Sequence, residues 1–214
     1  LNRLNPEQRK AAQTIEGPVL ILAGAGTGKT NTIAHRVAHM VDQGVSPENI
    51  LAVTFTNKAA REMQQRVAKL IPNPPTREDG KPIKSTICTF HSLCVRVLRR
   101  HIEKLGYKRN FVIYDESEQL GVVKKILSAI VGKDVKADPR ELHGLLSRIK
   151  NAGSSGAAKV FGSEEAVAMA DHIRVRYDSA LKAANAVDFD DLLILTLRLF
   201  KEHPEALKEC RVRY

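Results

Sequence analysis

The chain has 214 residues, 43% of them apolar and 27% charged, and 34 Lys and Arg against 24 Asp and Glu leave it at +10. That is enough apolar material for the core of one large or two small domains, and it excludes a disordered or collagen-like chain. No apolar run exceeds the five residues of Val19–Ala23, far short of the ~20 a bilayer span needs, and no charged-then-apolar leader opens the chain.

Cys88, Cys94 and Cys210 form neither a C-x-x-C pair nor an even set, which argues against a disulfide framework or a zinc site and for a reducing, cytoplasmic compartment. The charge is uneven. Residues 1–105 carry 16 basic and 8 acidic side chains, residues 106–187 carry 13 and 10, and residues 188–214 carry 5 and 6. A positive field concentrated in the first half points to a polyanionic partner.

In chain order, Asn5-Pro6 is a helix start. The aliphatic run Val19–Ala23 then reads as a buried parallel strand ending in a glycine-rich turn, with a helix from about Lys29. Two further strands are expected at Ile50–Thr54 and Ser85–Thr89. Each precedes a helical pattern, with Ala60, Met63, Val67 and Leu70, or Phe90, Leu93, Val97 and Ile102, on one face. Alternating strands and helices imply an α/β fold, a parallel sheet flanked by helices. Pro72 to Pro82 is proline-rich and polar, hence an exposed loop.

After Gly106 the spacing becomes helical: Leu120, Val123, Leu127 and Ile130; Leu142, Leu145, Leu146 and Ile149; Val167, Ala170, Ile173, Tyr177 and Leu181. Asp115 with Glu118, and Asp138 before Pro139, are start signals, and Asp188 caps a further helix through Phe200. Asn151 to Gly156 reads as a flexible break.

Gly24-Ala25-Gly26-Thr27-Gly28-Lys29-Thr30 stands where a strand meets a helix and matches the P-loop pattern, with Ala23 in place of its first glycine. Glycines let the backbone bend so that several N–H groups point inward at phosphates. Lys29 adds a positive charge for the β- and γ-phosphates, Thr30 a hydroxyl for Mg²⁺, and the helix its N-terminal dipole. A nucleoside triphosphate is the ligand this pattern implies. What its hydrolysis drives does not follow from the loop alone.

Leu4-Asn5-Pro6-Glu7-Gln8, the P-loop, Ala52 to Ala60 (AVTFTNKAA), Thr89-Phe90-His91-Ser92 and Asp188-Phe189-Asp190-Asp191-Leu192 occur in one order along nearly the whole chain. Together they resemble the UvrD/Rep/PcrA-type superfamily-one helicases. The resemblance implies a RecA-like P-loop NTPase with an inserted all-helical subdomain. Residues 1–105 would be the first part of the ATP-binding motor domain, 106–187 the insertion, and 188–214 a return to the motor domain that stops before Walker B.

It also implies the N-terminal part of an ATP-dependent 3′-5′ DNA helicase. ATP and Mg²⁺ would be its cofactors, single-stranded DNA and single-strand/duplex junctions its partners, and the remaining helicase domains would follow in the parent chain. A recombination helicase-nuclease subunit shares these motifs. A nucleic-acid-binding module with a vestigial P-loop is the reading from another class.

By resemblance Gln8 reads adenine, a task its amide suits because one end donates and the other accepts; the plainer reading is a surface Gln on a helix. Phe55, Thr56, Asn57 and Lys58 after the second strand, and Thr89, Phe90 and His91 after the third, fall where open α/β sheets place ligand-facing loops. There an aromatic ring can stack on an unpaired base while Thr, Asn and Lys hold phosphates.

The alternatives are that Phe55 is core, that Asn57 caps the next helix and that His91 only packs locally. Arg61, Arg66, Arg96, Arg99 and Arg100 would widen the field. Arg148, Lys150 and Asn151 are candidates for duplex contact. Phe111 to Glu116 imitates a Walker B strand but fits a helix cap better. Asn31 stands where many relatives carry Arg beside the nucleotide, so a changed nucleotide affinity is expected. Without a metal-binding carboxylate or a second motor domain, the fragment alone should hydrolyse ATP poorly.

Overall fold

The computed structural model describes Leu1, residues 3–130, 138–161 and 164–214, with side chains outside 152–170. The chain divides into two compact units, Leu1–Leu93 with Lys208–Tyr214, and Cys94–Leu207.

In the first unit, α1 (Pro6–Gln13) opens on a capping box: the Asn5 side chain accepts from Gln8 N at 2.8 Å, and Gln8 Oε1 accepts from Asn5 N at 3.1 Å. Helix α2 (Lys29–Asp42) starts directly at the P-loop. Strand β1 (Leu51–Thr54) leads into α3 (Asn57–Leu70), and β2 (Thr86–Thr89) into α4 (Phe90–His101), whose residues from Cys94 on are assigned to the second unit. The two strands are parallel, in register from Leu51 opposite Thr86 to Thr54 opposite Thr89. Ala34 and Val37 of α2, Ile50, Ala52, Met63 and Val67 of α3, and Ile87 form the core, so the helical apolar stripes face this sheet. Residues 71–85 run as the expected loop, tied by a bridge between Thr76 and Pro82.

The expected first strand is corrected. Residues 18–24 form no ladder, and Leu20 and Leu22 are 83% and 87% exposed. The aliphatic run has the side chains of a strand, but a strand exists only where a neighbour takes its N–H and C=O groups, and none of the described strands does so.

In the second unit, β3 (Val112–Ile113), α5 (Glu116–Ile130), α6 (Pro139–Phe161), α7 (Glu164–Ala183), β4 (Ala186–Val187), α8 (Phe189–Glu202) and α9 (Pro204–Arg213) follow in order, the last crossing into the residues assigned to the first unit. Val123, Leu142, Leu146, Ile173, Tyr177 and Leu181, all marked by the three- and four-residue spacing, form its core together with Ile126, which the spacing did not mark, and Leu127, Ile130 and Leu145 pack against it partly buried. Of the third helix's expected face, Val167 and Ala170 lie outside the described side chains.

Two expectations change. The segment 106–187 is not all-helical, because β3 and β4 pair in parallel. Asn185, in the left-handed region at φ 51°, turns the chain out of α7, and its side chain accepts from Lys108 N at 2.8 Å. Two-residue strands are too short to leave a periodic signal. The break at 151–156 is also absent, since α6 runs through it. Isolated glycines cost a helix only about 1 kcal/mol each relative to alanine, too little to end a helix already nucleated over its first turns. Asp115 caps α5, accepting from Glu118 N at 2.9 Å while Glu118 accepts from Asp115 N at 2.8 Å.

Candidate nucleotide and nucleic-acid sites

The P-loop geometry follows from its glycines. Gly26 and Gly28 take φ of 76° and 84°, conformations that are open to glycine and strained for other residues. Gly28 is the N-cap of α2 and, having no side chain, leaves the first-turn amides without a side-chain cap. Thr27 Oγ1 donates to Gly24 O at 2.8 Å, closing the turn. Lys29 begins the helix, and its Nζ donates to Ala23 O at 2.9 Å and Gly24 O at 2.6 Å. Its ammonium group therefore lies along the loop, and the side chain is exposed. Thr30 follows in the first turn of α2. The Asn31 carbonyl accepts a 2.9 Å hydrogen bond from His35 Nδ1.

These residues fit a triphosphate with Mg²⁺. An accessible cation, a hydroxyl and uncapped amides share one helix N-terminus, where the dipole favours anions.

Gln8 sits on the same loop. Its Nε2 donates to Thr27 O at 2.9 Å, and its Oε1 is the acceptor of the capping box. The helix-surface reading and the ligand-facing reading of Gln8 are thus compatible. One N–H and one lone pair of the amide are left over after both bonds.

At the ends of the paired strands, the register that sets Thr54 opposite Thr89 brings the next residues side by side. The Phe55 and Phe90 rings lie 5.8 Å apart between centroids, tilted by 49°. Phe55 is 90% exposed and Phe90 44%, so the core reading of Phe55 falls. Thr56, not Asn57, caps α3, its Oγ1 accepting from Ala59 N at 3.1 Å. Residue 57 is already helical, and only the residue before the helix has a side chain placed to reach back to its amides.

Thr89 Oγ1 accepts from Ser92 N at 3.2 Å and donates to Ser92 Oγ at 2.9 Å, anchoring the start of α4. Asn57 and Lys58 are exposed and His91 is half-buried. Arg61 is exposed, whereas Arg66 pairs with Glu62 at 2.5 Å. In the second unit, Arg99 stacks over Phe111 at 4.0 Å and also donates to Arg109 O, so it is committed to internal structure. Arg96 and Arg100 are exposed.

The duplex-contact reading of Lys150 is corrected. The Lys150 side chain is 4% exposed, and its Nζ lies 2.8 Å from Asp188 Oδ2, 2.8 Å from Asp191 Oδ1 and 3.2 Å from Asp178 Oδ1. Asp188 also accepts from Tyr177 OH at 3.2 Å and, through Oδ1, from Asp191 N at 2.8 Å, which caps α8. Asn151 donates to Asp190 Oδ1 at 3.0 Å and Ser147 O at 2.9 Å. Lys150 lies in the middle of α6, not at a helix end, and facing the Asp-rich N-terminus of α8 it pairs with those carboxylates rather than with solvent. Arg148 is exposed.

Burial pushes the Asp191 carboxyl up to about 6 despite the Lys150 ammonium. Burial opposes the charge on Lys150, but the surrounding carboxylates outweigh it and hold its pKa above the usual lysine value. Among the described residues no cluster of His, Cys, Asp or Glu is placed to hold a metal ion, and no helix is long and apolar enough to cross a membrane.

Sequence reasoning missed this ionic hub and the Arg36 contacts to α1. The Asp188-x-x-Asp191 capping spacing was the visible part of the hub; its lysine partner lies 38 residues away in sequence from Asp188.

The family model described as "UvrD/REP helicase N-terminal domain" matches residues 4–214. Proteins named "ATP-dependent DNA helicase PcrA" are similar to this chain. That of Staphylococcus aureus (strain Mu50 / ATCC 700699) is 42% identical over 210 residues, covering 97% of this chain and 28% of the relative. That of Bacillus subtilis (strain 168) is 43% identical over 211 residues, with the same coverage. That of Leuconostoc citreum is 41% identical over 213 residues, covering 96% of this chain and 27% of the relative.

Proposed function

Since the chain belongs to the UvrD/REP helicase N-terminal domain family and spans about 28% of the length of the relatives it matches, we propose that it is the nucleotide-binding part of an ATP-dependent DNA helicase. Residues 1–105 and 188–214 belong to a RecA-like motor domain, and 106–187 form its insertion. The parent protein moves 3′ to 5′ on single-stranded DNA in the cytoplasm and opens duplex at junctions. The observation that carries the reading is the P-loop at the start of α2, with left-handed Gly26 and Gly28 and an accessible Lys29.

Lys29 holds the β- and γ-phosphates, and Thr30 offers its hydroxyl to Mg²⁺. The amides of residues 24–31 line the phosphate chain, and the spare donor and acceptor of Gln8 suit adenine. Bound Mg²⁺ neutralises phosphate charge during transfer. Phe55 and Phe90 form an exposed aromatic platform for unpaired bases, with Thr56, Asn57, Lys58, Thr89 and His91 around it for the sugar-phosphate backbone.

Binding of Mg-ATP to the 214-residue chain, measured by calorimetry, tests the first half. The expected result is binding that Lys29→Ala weakens by about 2–3 kcal/mol, the worth of a charged hydrogen bond. Binding insensitive to Lys29 refutes it. For DNA, affinity for a single-stranded oligonucleotide should fall with salt at about −0.7 in log–log slope per phosphate contacted. Salt-independent binding counts against the platform.

A further inference from the structure

Helix α1 has only eight residues, fewer than the ~12–15 at which an isolated helix becomes even marginal. Ala12 is its one buried residue. Ala12 and Leu4, just before the helix, pack it by burial, and polar bonds at its two ends add to that. At the first turn, Gln8 Nε2 donates to Thr27 O of the P-loop. At the last, Arg36 Nη1 donates to Ala11 O at 2.7 Å and also to Thr14 O.

Those carbonyls are left without intrahelical partners at a helix C-terminus, where the macrodipole is negative, so a guanidinium both satisfies and neutralises them. Arg36 belongs to α2, seven residues after Lys29, or about 10 Å along the helix. The helix that carries Lys29 therefore also holds the far end of the helix that carries Gln8.

We infer that Arg36 is a positioning residue for base selection: by clamping the C-terminal end of α1 to α2, it sets the Gln8 amide at the height on the P-loop where its spare donor and acceptor meet a purine edge. The inference rests on the nucleotide reading above. The guanidinium of Arg36 bonds to Ala11 and to Thr14, the C-cap of α1, so it acts on the base and leaves the phosphate grip of Lys29 untouched. Thr14 Oγ1, which donates to Lys10 O at 2.8 Å, closes the end of the helix but does not tie it to α2.

The test is binding of Mg-ATP, Mg-GTP and Mg-tripolyphosphate to the 214-residue chain. The variants are Arg36→Met, which keeps the stem without donors, Arg36→Lys, Gln8→Ala and the double variant Gln8→Ala/Arg36→Met. The chain should prefer ATP to GTP by roughly tenfold or more, the scale at which a site built to hydrogen-bond one base rejects another.

Arg36→Met should bring that ratio close to unity with tripolyphosphate affinity changed less than about twofold, and Arg36→Lys should restore part of the preference. The double variant should match Gln8→Ala. Equal losses for all three ligands in Arg36→Met overturn the inference, as does a double variant whose ratio falls below that of Gln8→Ala.

If Arg36→Met does not fold, Arg36→Gln decides: an intermediate ratio supports the clamp, and a wild-type ratio overturns it. Failure of the nucleotide reading is distinguishable. In that case Lys29→Ala leaves Mg-ATP and Mg-tripolyphosphate binding unchanged, whereas failure of the clamp leaves that dependence on Lys29 intact.

Discussion

Replacing Lys150 by Met removes one ammonium group from among three carboxylates while keeping an apolar stem beside the Tyr177 ring, whose centroid lies 4.9 Å from Nζ. The side chains of Asp188 and Asp191 are 4% and 13% exposed, so water cannot replace the lost donor. The Asp178 side chain is 39% exposed, but its Oδ1, 3.2 Å from Nζ, is buried, while its Oδ2 keeps Arg174 as a partner, so it contributes less.

Breaking a buried pair by deleting one partner costs about 3–5 kcal/mol. Here the lower end applies. Asp188 keeps Tyr177 OH and Asp191 N as donors, and Asp191, already pushed up to about 6, escapes by taking up a proton. Protonating such a group at pH 7 costs about 1.4 kcal/mol, a ceiling on how far the repulsion between Asp188 and Asp191 can act.

The expected loss is about 3 kcal/mol at pH 7. At pH 5 it is smaller by roughly 1 kcal/mol, because Asp191 is then largely neutral in the unmutated chain as well. Urea unfolding followed by far-ultraviolet circular dichroism at both pH values measures it. A loss under about 1 kcal/mol at pH 7, or a larger loss at pH 5, refutes the buried-hub account.

The same carboxyl makes a linkage prediction. Its folded-state pKa of about 6 lies above the usual aspartate value of 3.8, so its stabilising contribution is full below about 4 and is lost as pH rises through 6. Relative to Asp191→Asn, the unmutated chain should lose stability over that window, by at most about 3 kcal/mol, in urea titrations at stepped pH. Phe55→Ala and Phe90→Ala should each weaken oligonucleotide binding by about 1–3 kcal/mol without changing the salt slope, as measured by fluorescence anisotropy. Gly28→Ala forces a side chain onto φ of 84° and sets its Cβ 3.1 Å from Gln8 Nε2. It should cost about 1–2 kcal/mol of stability and weaken Mg-ATP binding, checked by thermal melts and calorimetry.

Local chemistry was enough for much of this protein. The P-loop turn, the caps at Asn5, Asp115 and Asp188, and the apolar faces of α3, α5 and α6 all follow from residues a few positions apart. The capping box and the helical stripe are short-range physics, and the Gly-rich run has few other conformations that serve a phosphate.

Tertiary structure decided whatever needs a distant partner. Val19–Ala23 has strand composition yet no ladder, because a strand's hydrogen bonds belong to its neighbour. Phe55 and Phe90 meet only through the register of β1 and β2. Lys150 is no surface cation, because α7 and the start of α8 close carboxylates around it. Arg36 closes α1 across 22 to 25 residues of sequence. In each case charge, ring or backbone group was visible in the chain, and only packing chose what it would face.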